Sequence, residues 1–341
     1  LPCRSLWMSA TFNSQWLSTV DFKTTAKSLA TLSLTEEDRS SENVSRRLGA
    51  EKTLRQCPAG DGTDTKKIAQ FILENHAPGS RTIAVFNKVR RAQDVYAHLE
   101  KLSGKKSGKP MLTLLHSRFR PDDRKMNLEK LLSSPGDGGT ICIATQAIEA
   151  GVNVSCSLLV TDLAPWPSLI QRFGRCNRFG ECENARIFWI APDTKKKGWG
   201  VPYDENDLNR ARDILHSLEG KSAAPANLPK VTDPMREDDV LRRKDVMELF
   251  DTTSDLMGFD VDVSRFIRDS DDISVSVFWR DLGDDVKSVP DGTQPAPEEL
   301  CSAPWQEVVK FLKDKRAAYQ WDHLDKAWNR TSAILPGALV L

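Results

Sequence analysis

Between Arg81 and Pro192 the apolar positions fall into short solid runs separated by amphipathic stretches. RTIAVFN (Arg81 to Asn87), MLTLLHSR (Met111 to Arg118), TICIATQ (Thr140 to Gln146), SLLVTD (Ser157 to Asp162) and ARIFWIAP (Ala185 to Pro192) have the length and continuity of buried strands. Between them, Val89, Ala92, Val95, Tyr96, Leu99 and Leu102 recur at helical spacing, and Leu128, Leu131 and Leu132 point inward from a helix that begins at Pro121. Upstream, Ile68, Phe71, Ile72 and Asn75 mark a helix from Thr65 to His76, stopped by Pro78 and Gly79. Strands alternating with helices predict an α/β unit, a parallel sheet with helices on both faces. Such sheets bind ligands beyond the carboxyl ends of their strands, which places His116, Thr145 and Asp162 on the binding edge.

The flanking pattern is weaker. SLWMSATF, Ser5 to Phe12, reads as a strand end and a small-residue turn, and residues 23–62 as a polar linker in which Thr35 opens a helix ahead of Glu36, Glu37 and Asp38. The chain therefore divides into 1–22, 23–62, 63–194, 195–234 and 235–341. The fourth segment carries a helix with Leu208, Ala211, Ile214, Leu215 and Leu218 and then a Pro-rich connector. The last is a mixed α+β region. It has a helix near Val240 to Phe250, a strand whose Ile273, Val275, Val277 and Trp279 alternate toward a core, a helix from Pro304 and short terminal strands. Leu1 and the closing ALVL read as breaks in a longer polypeptide.

Composition narrows the partners little. Forty-eight basic residues balance forty-eight acidic ones, so any affinity for nucleic acid has to come from local patches. No run reaches the roughly 18 apolar residues of a membrane span, and no signal peptide opens the chain. The seven cysteines are scattered without zinc-ligand spacing, which reads as reduced thiols in a cytoplasmic protein with no metal site. SGKKSGK, from Ser103 to Lys109, is a solvated loop, since Pro110 follows where a phosphate loop needs Ser or Thr. DHLD near Asp322 reads as a turn.

The chemistry concentrates between Thr140 and Gly180. A strand, a polar turn containing Thr145, Gln146 and Gly151, and a second strand lead into a helix carrying Gln171, Arg172, Arg175 and Arg178. At about 100° per residue, Gln171, Arg175 and Arg178 share one helical face, an amide and two guanidinium forks directed at one anion. That is half of a polyphosphate clamp. No phosphate loop and no Asp-Glu-x-His magnesium motif accompanies it.

TQAIEAGVN, Thr145 to Asn153, followed by TDLAPWPSLIQRFGRCNR, Thr161 to Arg178, resembles the second RecA-like domain of superfamily-two helicases. The type I CRISPR-associated helicase-nuclease family is the most similar, in the variant with a downstream nuclease. The resemblance spans about residues 80 to 192, with Ser9, Ala10 and Thr11 matching the motif that closes the first motor domain. It implies that 1–22 ends a first RecA-like domain and that 63–194 is the second. Gln171, Arg175 and Arg178 would then reach across the interdomain cleft to ATP, while Gly151, Asn153 and Asn87 border the nucleotide. His116, Ser117, Arg118, Thr145 and Gln146 would follow a single strand of DNA through its phosphates. Where the family usually has Asp, this chain has Asn153, which keeps an acceptor and loses the charge.

The implied cofactors are ATP and Mg2+, the latter held by residues outside this chain. The implied partners are single-stranded DNA, a guide-RNA surveillance complex, and the upstream RecA-like and nuclease domains of the same polypeptide, with no membrane. The isolated chain is expected to lack ATPase activity. Two other readings share these features: a non-catalytic RecA-like module that binds nucleic acid or protein, and another superfamily-two helicase acting on RNA or in DNA repair.

Overall fold

The computed structural model describes residues 21, 30, 32–59, 63–104, 108–196, 198–231, 242–250, 274–281, 289, 293–312, 318–322, 325–331, 333–335 and 338–341. Ser9, Ala10, Thr11 and Ile273 lie outside them. Two units form: Leu1–Arg39 with Pro229–Asp272, and Ser40–Leu228 with Ile273–Leu341. In the first, Thr35 and Asp38 hydrogen-bond reciprocally at the start of the helix Glu36–Ser40, as the Thr35 signal predicts. A short helix, Arg243–Leu249, belongs to the same unit.

The second unit is built on a six-stranded, all-parallel sheet. Its strands are β1 (Thr53–Gln56), β2 (Arg81–Val85), β3 (Met111–Leu115), β4 (Thr140–Ala144), β5 (Leu158–Asp162) and β6 (Arg186–Ile190), in the spatial order β1-β6-β5-β2-β4-β3. Strand alternation sends Ile83 and Val85 to one face and Ala84 and Phe86 to the other, all of them inaccessible to solvent. On the Ala84 face, α2 (Thr65–Asn75) and α3 (Val89–Ser103) contribute Ile68, Ile72, Val95 and Leu99. On the Ile83 face, Leu131 of α4 (Pro121–Leu132), Leu169 and Phe173 of α5 (Trp166–Phe173) and Leu208 and Leu215 of α6 (Glu205–Ser217) close a second core. Both faces are covered, which is why the central strands β2, β4 and β5 and the neighbouring β6 are buried along almost their whole length. Leu102 and Leu132, expected inward, sit at the ends of their helices and stay exposed.

Chain order turns back on itself at β2: β3 and β4 lie to one side and β5 and β6 to the other. Asn87, just beyond β2, and Asp162, the last residue of β5, therefore flank the switch point of the sheet. His116 and Thr145 directly follow β3 and β4, so they lie at the carboxyl ends of the strands as the pattern predicts. β1 was not signalled by its own pattern. Only Leu54 of its four residues is buried, and the strand exists through its register against β6.

A smaller mixed sheet follows, with β7 (Ser274–Val277), β8 (Cys301–Pro304), β9 (Tyr319–Asp322), β10 (Ala327–Arg330) and β11 (Leu339–Val340) in the order β10-β9-β11-β7-β8. Val275, Ala318 and Val340 pack there with Val308 of the helix α7 (Trp305–Leu312). Trp279, expected in that core, is 56% exposed, because β7 ends at Val277 and the alternation ends with it.

Candidate functional site

The arginine-bearing helix is shorter than its sequence suggests. α5 ends at Phe173 with Gly174 as its cap, and the chain then turns so that Cys176 bridges to Cys156 beside the start of β5. Asn177 takes a left-handed φ of 44°, a conformation asparagine tolerates, and its side chain binds the Glu51 and Cys182 carbonyls at 2.8 Å each. Gln171, Arg175 and Arg178 consequently do not share a helical face. Gln171 is on the last turn of α5, and the two arginines belong to the loop beyond it.

Each of the three has a distinct setting. Gln171 is half-buried and its amide makes no hydrogen bond among the described residues. Arg175 is 6% exposed. Its Nε donates to the Ile148 carbonyl at 3.0 Å and Nη2 to the Glu149 carbonyl at 2.5 Å, and Nη1 makes no hydrogen bond among the described residues. Arg178 Nε donates to Asn153 Oδ1 at 2.9 Å and Nη1 to the Gly174 carbonyl at 3.2 Å. Asn153 thus meets the arginine segment, as a neutral acceptor rather than a counter-charge. Gly151, at φ 73°, supplies the left-handed turn that a side chain would strain. It is exposed.

Arg172, which sequence reasoning left without a role, is the hub of the carboxyl edge. Fully buried, it donates from Nε to Glu149 Oε1 at 2.8 Å, from Nη1 to Thr161 Oγ1 at 2.9 Å and from Nη2 to Asn87 Oδ1 at 3.0 Å. Tyr203 Oη accepts from Arg172 Nη2 and from Gln146 Nε2, and the Asn87 N–H and Arg91 Nε both donate to Asp162 at 3.1 Å. These contacts tie the ends of β2 and β5 to the turn after β4. A buried guanidinium with five partners, the Asp162 carbonyl at 3.2 Å among them, is stabilising only while all of them are present. Beside the network a cavity of about 330 Å3 opens, lined by Asn87, Lys88, Arg91, Asp162, Lys196 and Trp199 among others.

The segment after β3 is differently equipped. His116 is 3% exposed and stacks on Phe119 with ring centroids 4.2 Å apart, while its Nδ1 accepts the Arg118 N–H at 3.1 Å. Burial and then the neighbouring Arg118 charge hold its pKa down at about 4, so the ring is neutral. Ser117 is exposed. Arg118 pairs with Glu307 of α7 at 2.5 Å, and Arg120 pairs with Asp123 at 2.7 Å while lying 4.9 Å from the Trp279 ring centroid. Thr145 is 4% exposed, with its N–H donating to the Leu115 carbonyl. The residues expected to track nucleic acid therefore adjoin one another at the carboxyl edge, with His116 and Thr145 turned into the protein.

The six described cysteines are all free, and burial pushes the Cys142 thiol up to about 12. Among the described residues no His, Cys, Asp and Glu side chains cluster as metal ligands, and no helix is long and apolar enough to cross a membrane.

Residues 78–181, which carry both arginine-rich segments, match the family described as CRISPR-associated nuclease/helicase Cas3, C-terminal. Over that stretch the chain is similar to the C-terminal helicase part of Cas3-type proteins. Among curated relatives, the CRISPR-associated helicase Cas3 of Thermoproteus tenax is 32% identical over 177 residues, which is 50% of this chain and 28% of that protein. The CRISPR-associated nuclease/helicase Cas3 of Haloferax volcanii is 35% identical over 96 residues, 27% of this chain and 10% of that protein. The chain thus spans less than a third of either relative. A crystal structure of a CRISPR-associated protein superimposes with a TM-score of 0.53 at 18% identity, covering 84% of this chain and 37% of that one. That likeness extends the shared fold beyond the Cas3-type segment.

Proposed function

We propose that this chain supplies the arginine half of an ATP site, and part of a single-stranded DNA track, in an ATP-dependent Cas3-type helicase acting in CRISPR antiviral defence. The observation that carries the reading is the Cas3-type match over 78–181, which encloses Gln171 to Arg178 together with His116 to Arg120. The donor set suits a polyphosphate. Gln171 has an uncommitted amide, Arg175 an uncommitted Nη1, and Arg178 faces an amide oxygen rather than a carboxylate. In ATP hydrolysis Gln171 would orient the attacking water, while Arg175 and Arg178 neutralise the charge that develops on the γ-phosphate.

Gly151 and Asn153 border the nucleotide and the hinge in this reading, whereas Asn87, beyond the carboxyl end of β2 and bonded to Arg172, lies toward the other end of the sheet from Arg178. Ser117, Arg118 and Gln146, backed by His116 and Thr145, follow the DNA phosphates without reading bases. In this reading Mg2+ accompanies ATP and is held by residues of an upstream RecA-like domain. Further partners are the guide-RNA surveillance complex and a nuclease domain, in the cytoplasm.

The test joins this chain to a phosphate-loop motor domain and measures DNA-stimulated ATP hydrolysis. Turnover should require both parts and be abolished by Arg175→Ala, with folding checked by circular dichroism. Hydrolysis by the 341-residue chain alone, or unchanged turnover in a folded Arg175→Ala protein, would contradict the assignment.

A further inference from the structure

A second cavity, of about 210 Å3, opens at the carboxyl end of α5, lined by Arg47, Leu48, Lys52, Gly174, Arg178 and Pro225. Half of its lining residues are cationic, and they arrive from separate segments. Arg47 belongs to the helix Glu42–Leu48, Lys52 immediately precedes β1, and Arg178 lies in the loop after α5.

The fold holds them there by specific contacts. Lys52 is 2% exposed, and its Nζ donates to the Phe173 carbonyl at 3.2 Å and the Cys176 carbonyl at 2.6 Å, closing the negative end of α5. An ammonium has three N–H donors, so one remains. At Gly180, a Cβ would stand 2.7 Å from Arg46 Cγ and 2.8 Å from the Arg46 carbonyl oxygen. Only glycine lets the helix Glu42–Leu48 lie against this turn. Arg47 and Arg178 then lie over the same Phe179 ring, at 5.4 and 5.9 Å from its centroid.

Counter-charge is scarce. None of the three cations forms a salt bridge among the described residues, and the partner of Arg178 Nε is the neutral Asn153. Burial is the main influence lowering the Lys52 pKa, opposed by Cys176, Cys156 and then Glu181, whose carboxylate accepts the Phe179 N–H at 3.0 Å. Two guanidinium groups and an ammonium around one cavity repel one another, and a multivalent anion relieves that repulsion while filling their free donors.

We propose that Arg47, Lys52 and Arg178 form a phosphate-binding pocket whose ligand is the polyphosphate of a nucleotide. The nucleotide assignment rests on the function proposed above, whereas phosphate binding itself does not. Location favours a nucleotide over a nucleic-acid backbone. The pocket adjoins the loop that turns back to the start of β5, at the opposite end of the sheet from His116, Ser117 and Thr145.

The test is calorimetric titration of pyrophosphate into the 341-residue chain at low ionic strength. Binding is expected, weakened about tenfold by Arg47→Gln, the loss of one charge-assisted contact. Asn153→Asp, which puts a carboxylate on Arg178, should weaken it several-fold. Arg47 is exposed, so Arg47→Gln should leave the thermal midpoint unchanged, and Arg39→Gln, outside the pocket, should bind as the parent does. No binding, or equal affinity in Arg47→Gln, would overturn the pocket. Competitive displacement of pyrophosphate by a single-stranded oligothymidylate would overturn the nucleotide assignment. Intact pyrophosphate binding beside a failed hydrolysis test would count against the motor reading and leave the pocket standing.

Discussion

Two arginine-rich segments of the same α/β unit have opposite electrostatic surroundings. After β3, Arg118 and Arg120 each meet a carboxylate, Glu307 and Asp123 respectively. After α5, Arg175 and Arg178 meet carbonyl and amide oxygens, and an acid, Glu149, pairs instead with Arg172 inside the helix. Backbone carbonyls orient a guanidinium without cancelling its charge, whereas a carboxylate does both. The first segment must exchange a counter-ion to bind a phosphate. The second can receive one directly. Arginine content alone therefore says little about where an anion goes, and the acceptor beside each arginine says more.

The largest expected effect lies in Arg172, a fully buried charge that ties the carboxyl edge together. Arg172→Ala strands Glu149, Thr161 and Asn87 and should destabilise the chain by about 3–5 kcal/mol, measured by urea unfolding. A loss under about 1 kcal/mol would mean the network is incidental.

His116 comes next and distinguishes the two segments by pH. Its folded pKa, about 4, is below the ordinary 6.5, so the unfolded chain takes up the proton first as pH falls. The stability it contributes is complete above about pH 6.5 and declines between 6.5 and 4, by roughly 3 kcal/mol in total. Comparing unfolding at pH 7 and pH 4.5 for the parent and His116→Gln should show a smaller drop in the variant. Equal drops would contradict the burial of a neutral ring.

The smallest effect tests the counter-ion directly. Glu307→Gln neutralises the half-exposed partner of Arg118, freeing that guanidinium, and should raise affinity for single-stranded oligonucleotide two- to fivefold at low salt, the size of a surface pair. Fluorescence anisotropy measures it. Unchanged affinity would remove Arg118 from the DNA track.

The α/β architecture was legible because strands covered on both faces must be continuously apolar, and the binding edge followed from strand ends alone. Three features were not. β1 has a single buried residue and takes its identity from β6, a pairing across more than a hundred positions that leaves no local pattern. The end of α5 was misjudged because Gly174 and Asn177 can sit inside a helical repeat as easily as end one. The bridge of Cys176 to Cys156 decides which. Arg47 and Lys52 came from a segment read as linker, and only the tertiary fold brings them to Arg178. Trp279 failed for the converse reason: its strand stops two residues earlier.

The central claim is that the segment after α5 serves the nucleotide while the segment after β3 serves the DNA. Steady-state ATP hydrolysis by the joined motor, at varied DNA concentration, separates them. Arg178→Ala should cut maximal turnover by about 10³-fold even at saturating DNA. Arg118→Ala should raise the DNA concentration needed for half-maximal stimulation and leave maximal turnover within about twofold. Maximal turnover retained in Arg178→Ala, or lost in Arg118→Ala at saturating DNA, would contradict the account.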